Sequence, residues 1–148
     1  MFGFLLYLHL SAAVVWIGGM FFAYVAARPA AAGLPPDERF PFWVRAFARF
    51  FPWVWAAIPA LLVTGSVMVT QEASPPGAPV ILMAGLGIAM MALFLHAYFA
   101  PYRRLRRAVA ASDWTLAGKQ LGQIRRLVGI NTVLGFLVLA VGIWTITG

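Results

Sequence analysis

The chain has no cysteine. Disulfides, thiolate metal sites and iron–sulfur clusters are excluded at once. Charge is scarce as well: 10% of residues are Asp, Glu, Lys or Arg, against about a quarter in a soluble domain. Only four residues are acidic, and none of them lies inside an apolar run. A proton relay or ion-coupled transporter core built on intramembrane carboxylates is therefore not expected. There is no glycine-rich nucleotide loop and no nucleophile–base pair. Histidine is limited to two residues. A bound metal must use imidazole, thioether, carboxylate, hydroxyl or backbone groups.

What the chain has is apolar length. Of its 148 residues, 63% are hydrophobic, and the mean hydropathy is +0.88. Four apolar runs cover residues 2–27, 50–70, 79–100 and 127–147. Each is near the ~20 residues that a helix needs to cross a bilayer. No period-2 alternation marks transmembrane strands. The expected fold is all-α: one transmembrane domain over residues 1–148, a four-helix bundle running up-down-up-down. The first run, Phe2 to Ala27, has no basic start and is too long for a signal peptide, so it reads as a retained helix.

The formal charge of +7 is placed very unevenly. All 11 Lys and Arg fall in two connections, residues 28–49 and 101–126. With four spans these connections share a compartment, and the positive-inside rule makes it the cytoplasm. Both termini are then periplasmic, and the protein is a multi-pass protein of a bacterial inner membrane. Topology and contact with the lipid bilayer account for the basic residues without nucleic acid. Within the connections, Arg28-Pro29 is expected to end the first helix, and Pro101 opens the third connection. Ser112-Asp113 reads as a helix cap, with Trp114 running into the fourth span. Pro59 is expected to kink the second helix. The second connection carries a single charge, Glu72.

Ionisable groups at membrane depth are costly and are usually retained for a function, which draws attention to His9 and His96. At 1.5 Å per residue, His9 lies ~10 Å below the outer end of its helix and His96 ~25 Å below. That gap of ~15 Å keeps the two imidazoles from meeting on one haem. His9, Ala13, Trp16 and Met20 share one face of the first helix, and Met83, Gly87, Met90 and Phe94 one face of the third. His96 falls instead with Ala92, Ala89 and Gly85, a small-residue stripe suited to close packing. His9 is thus matched in depth with Met83, with Met68 as a third candidate, and Met20 with His96 toward the inner side. Imidazole and thioether without thiolate favour cuprous copper over hard cations. The bland alternative is that the methionines fill gaps and the histidines make interhelical hydrogen bonds. Asn131, Thr64, Ser66 and Ser11 are the other polar groups in the spans. Gly18-Gly19, Gly85, Gly87 and Gly135 permit close approach.

Three segments together resemble the CopD family of small membrane proteins, named for copper resistance protein D. They are Leu8-His9-Leu10-Ser11-Ala12-Ala13-Val14-Val15-Trp16-Ile17-Gly18-Gly19-Met20, then His96-Ala97-Tyr98-Phe99-Ala100-Pro101-Tyr102-Arg103-Arg104-Leu105-Arg106-Arg107-Ala108, then Ile124-Arg125-Arg126-Leu127-Val128-Gly129-Ile130-Asn131. The resemblance implies a four-helix inner-membrane bundle for copper uptake or tolerance. A more distant likeness is to HemJ, a membrane protoporphyrinogen oxidase that binds haem b, which implies His9 as an axial ligand. HemJ-like proteins tend to carry a histidine at the start of the third span, where this chain has Val80-Ile81-Leu82-Met83. Three functions follow as expectations. The first is copper transport or tolerance, with His9 and Met83 as outer ligands and His96 and Met20 as inner ones. The second is a haem b cytochrome or oxidoreductase, with His9, Met83 and His96 as the cofactor-binding candidates. The third is an assembly subunit without a cofactor. A bundle this small leaves little room for a permeation path, so a homodimer is expected, together with a periplasmic copper or redox partner.

Overall fold

The structure is a computed structural model and describes residues 1–71 and 74–147; Glu72, the charge noted in the second connection, lies outside the described residues. Four long helices carry the chain. They are α1 (Phe2–Ala32), α2 (Pro36–Gln71), α3 (Ala78–Ala110) and α4 (Trp114–Thr147). All four are long and apolar enough to cross a membrane. No strand occurs among the described residues. Most of each apolar span remains exposed, with Val14, Phe22, Val63, Ile88, Val133 and Trp144 on the outside. An apolar coat of that extent needs lipid rather than water as its solvent.

The helices run well past the apolar runs, and two prolines explain how. Arg28-Pro29 does not end α1. A π-helical turn over Ala23–Ala27 precedes it, closed by a hydrogen bond from the Arg28 N–H to the Ala23 carbonyl, and the helix continues to Ala32. A wide turn shifts the bonding register and absorbs the donor that proline lacks. Pro101 sits inside a second π-helical turn, Tyr98–Tyr102, and α3 continues to Ala110. Likewise α2 remains helical through Pro41, Pro52 and Pro59.

The α3–α4 corner is compact. Asp113 donates its backbone N–H to the Ala108 carbonyl (2.9 Å), and Ser112 donates its own to Val109 (3.1 Å). Ser112 takes the left-handed conformation (φ 53°) that this helix ending requires. The Asp113 carboxylate then accepts the Leu116 N–H at 2.9 Å and caps α4.

The main interfaces are α1 on α2 and α3 on α4, with α1 also against α4. Two glycines set the closest approaches. A methyl group at Gly19 would collide with the Phe50 ring, and one at Gly135 would come to 2.9 Å from the Ile17 side chain. Gly18, Gly85 and Gly87 face open space instead. Toward the end that carries the arginines, α2 and α3 are joined by aromatic rings. Phe51 lies 4.8 Å from Tyr102 and 5.4 Å from Phe94 between centroids, and stacks on Phe47 at 5.1 Å. Toward the other end, α2 and the Ala78–Ala97 part of α3 make little backbone contact. A cavity forms where they part.

Candidate functional site

The cavity has a volume of about 490 Å³ and is lined from all four helices. From α1 come His9, Ala13 and Trp16; from α2, Leu61, Gly65 and Ser66; from α3, Met83, Gly87, Met90 and Met91; from α4, Val138. Its walls are apolar, and its ionisable group is His9. Toward the arginine end, Trp16 in its wall meets the buried Phe94 edge-on at 6.1 Å.

The His9 ring is held by α2. Its Nδ1 lies 2.8 Å from Thr64 Oγ1. Thr64 Oγ1 in turn donates to the Ala60 carbonyl at 2.6 Å, with the Leu61 carbonyl at 3.4 Å. A hydroxyl has one proton, and a carbonyl can only accept. The Thr64 proton is therefore committed to the backbone, and the hydroxyl oxygen accepts from His9. That places the neutral ring's proton on Nδ1 and leaves the Nε2 lone pair free. Metal-binding histidines are commonly oriented this way, the second nitrogen donating to an oxygen. The ring also needs space. A Cβ at Gly65 would lie 3.3 Å from His9 Cε1, so the glycine after Thr64 leaves room for the imidazole.

The structure brings His9 and Met83 to the same cavity, joined there by Met90 and Met91. The Met83 sulfur rests against α4, where a side chain at Gly142 would meet it at 3.8 Å. Met68 does not line the cavity. Met20 is buried in the core, outside the cavity. His96 is exposed, as are Ala92, Ala89 and Gly85, so that stripe faces outward from the bundle. No group of three or more His, Cys, Asp or Glu able to hold a metal occurs among the described residues. Besides the imidazole, the side-chain donors in the cavity wall are the thioethers of Met83, Met90 and Met91 and the hydroxyls of Ser66 and Thr70. A single imidazole with thioethers in a mostly apolar, carboxylate-free cavity fits a soft monovalent ion such as Cu(I) and is a poor fit for hard cations.

Asn131 and Thr64 are the span polar groups with interhelical roles. The Asn131 side-chain amide donates to the Met90 carbonyl at 3.2 Å, pinning α4 to the wall of the cavity. Thr64 and Gly65 as the seat of the histidine escape sequence reasoning. Their one visible signal is Thr64-Gly65-Ser66, a polar break in an otherwise apolar span.

Fold and cavity together define a class: a multi-pass α-helical membrane protein with an apolar interhelical chamber built around one oriented histidine. Residues 44–145 match the family model CopD, copper resistance protein D, and the chain belongs to that family. The matched stretch contains Thr64, Met83, Met90, Met91 and His96, whereas His9 and Met20 precede it. No curated protein and no solved structure matches the chain.

Proposed function

We propose that the protein handles copper as cargo, taking a cuprous ion into the chamber between α2 and α3. The observation that supports this most is the His9–Thr64–Ala60 hydrogen-bond chain, which leaves an imidazole nitrogen unprotonated in a cavity that three methionines also line. In this reading His9 Nε2 supplies the nitrogen donor, and Met83 supplies a thioether with Met90 or Met91. Thr64 holds the ring and acts through it. In the same reading the buried pair Trp16 and Phe94 forms the floor of the chamber toward the arginine end.

Orientation belongs to the same reading. The 11 basic residues in the two connections support an orientation with that end of the bundle in the cytoplasm, in a bacterial inner membrane. The chamber then lies in the periplasmic half and receives copper from that side. The reading is tested by anaerobic titration of the detergent-purified protein against a chromophoric cuprous chelator. Stoichiometric competition that is lost in His9→Ala and weakened in Met83→Leu supports it. Equal competition by wild type and His9→Ala contradicts it, as does a purified protein with a Soret band.

A further inference from the structure

The arginine end of the bundle contains a second set of groups, unrelated to the chamber. The π-helical turn of α1 carries Tyr24, and Arg28 follows it, with its guanidinium 5.1 Å from the Tyr24 ring centroid. The ring lies against α4 because residue 129 is glycine; a Cβ there would meet it at 3.2 Å. Arg125 of α4 stands beside them, and Trp43 of α2 closes the back. A narrow cleft lined by Tyr24, Arg28, Trp43 and Arg125 opens into a mouth of about 430 Å³ that shares Tyr24, Arg28 and Arg125.

Three donors in or beside this largely apolar cleft have no hydrogen-bond partner among the described residues. The Trp43 indole N–H is buried without a hydrogen-bond partner, in a residue only 4% exposed. Arg125 Nε and Arg39 Nε are buried without a partner too. The charges acting on Arg125 are those of Arg28 and Arg39, both of its own sign. Asp37 and Glu38 at the start of α2 and Asp113 at the start of α4 are all exposed. Unpartnered buried donors beside like charges suit an anionic ligand. The ligand must be anionic, with several acceptor oxygens to serve donors from three helices. Arginine forks and an indole N–H suit a phosphate group. The cleft also lies where the apolar spans give way to the basic connections, at headgroup depth.

We propose that this cleft is a specific site for a phosphate oxyanion, held by Arg28 and Arg125 with the Trp43 N–H at its back. The group comes either from an anionic phospholipid headgroup or from free phosphate. Occupied, the site ties α1, α2 and α4 together at the arginine end.

The test uses the full chain in neutral detergent. Thermal unfolding and native mass spectrometry are run with phosphatidylglycerol, with phosphatidylcholine and with inorganic phosphate. The proposal expects a retained one-to-one adduct and a raised midpoint with phosphatidylglycerol or phosphate, and neither with phosphatidylcholine. A response to phosphatidylglycerol alone assigns the headgroup, and a response to inorganic phosphate in lipid-free detergent assigns the free anion. Arg125→Gln and Arg28→Gln should each weaken binding about tenfold. Trp43→Phe, which keeps the ring and removes the donor, should weaken it severalfold, so the inference does not rest on the arginine variants folding. Arg104→Gln, an exposed change at the same end, should leave it unaltered. Binding unaffected by Trp43→Phe and Arg28→Gln, or lost equally in Arg104→Gln, overturns the site, as does no response to either anion.

Discussion

His9 and Thr64 are 55 residues apart in sequence and 2.8 Å apart in the structure. The contact does three things at once. It joins α1 to α2, satisfies a ring nitrogen of the half-buried His9, and fixes which nitrogen is left with a lone pair. Thr64→Val keeps the shape and removes the acceptor. The account expects cuprous affinity to fall about 10- to 100-fold, as for other losses of a ligand-orienting group. Thr64→Ser should retain most of it. Competition titration of both variants measures the difference. Equal affinity in Thr64→Val and wild type would show that the threonine does not orient the ring.

Gly65 offers an independent handle on the same ring. With a Cβ at 3.3 Å from His9 Cε1, Gly65→Ala requires a shift of a few tenths of an ångström. Gly65→Val requires the ring to leave its seat. Copper binding should be mildly reduced in the first and lost in the second, to the level of His9→Ala, while helical content by circular dichroism stays unchanged. Intact binding in Gly65→Val would place the imidazole elsewhere.

Much of the fold was legible in the residues, because lipid imposes one rule. A helix in hydrocarbon must be long and uncharged, and each of the four apolar runs is. The helix ends were less legible. Arg28-Pro29 and Pro101 read as stops, since proline breaks the bonding ladder, but π-helical turns at Ala23–Ala27 and Tyr98–Tyr102 carry the helices through. Such turns leave no pattern in the residues themselves. The inward face of α1 was legible from spacing: Ala13, Trp16 and Met20 are buried and His9 lines the chamber. The stripe with His96 was not. Small residues allow packing without compelling it, and this stripe faces outward. Thr64 was visible only as a polar residue in a span. A threonine in a helix ordinarily turns back to its own carbonyl four residues earlier. Thr64 does that and accepts from His9 as well, and the second role appears only once α1 lies against α2.

Phe51 is the hub of the aromatic rings that join α2 to α3, meeting Phe47, Phe94, Tyr98 and Tyr102. Phe51→Ala should destabilise the bundle by about 3 kcal/mol, the low end of the range for buried aromatics. The lower figure is chosen because lipid is as apolar as the ring's surroundings and packing alone is lost. Thermal unfolding in detergent reads this out, and a change below about 1 kcal/mol, the value of a single aromatic pair, would contradict the central role of the ring.

At the α3–α4 corner, Ser112 sits in left-handed backbone with φ 53°. Ser112→Gly removes the clash of Cβ with the following carbonyl and should stabilise the corner by about 1 kcal/mol. Its midpoint should rise above that of wild type, and Ser112→Val should fall below it. The reverse order would mean that the corner is built differently.

The most direct test of the copper reading is X-ray absorption at the copper edge, on protein loaded anaerobically with one equivalent of cuprous ion. The account predicts a mixed shell of nitrogen and sulfur, with the nitrogen scatterer absent in His9→Ala and the sulfur reduced in Met83→Leu. A shell of light atoms alone, or a spectrum identical in wild type and His9→Ala, would contradict it.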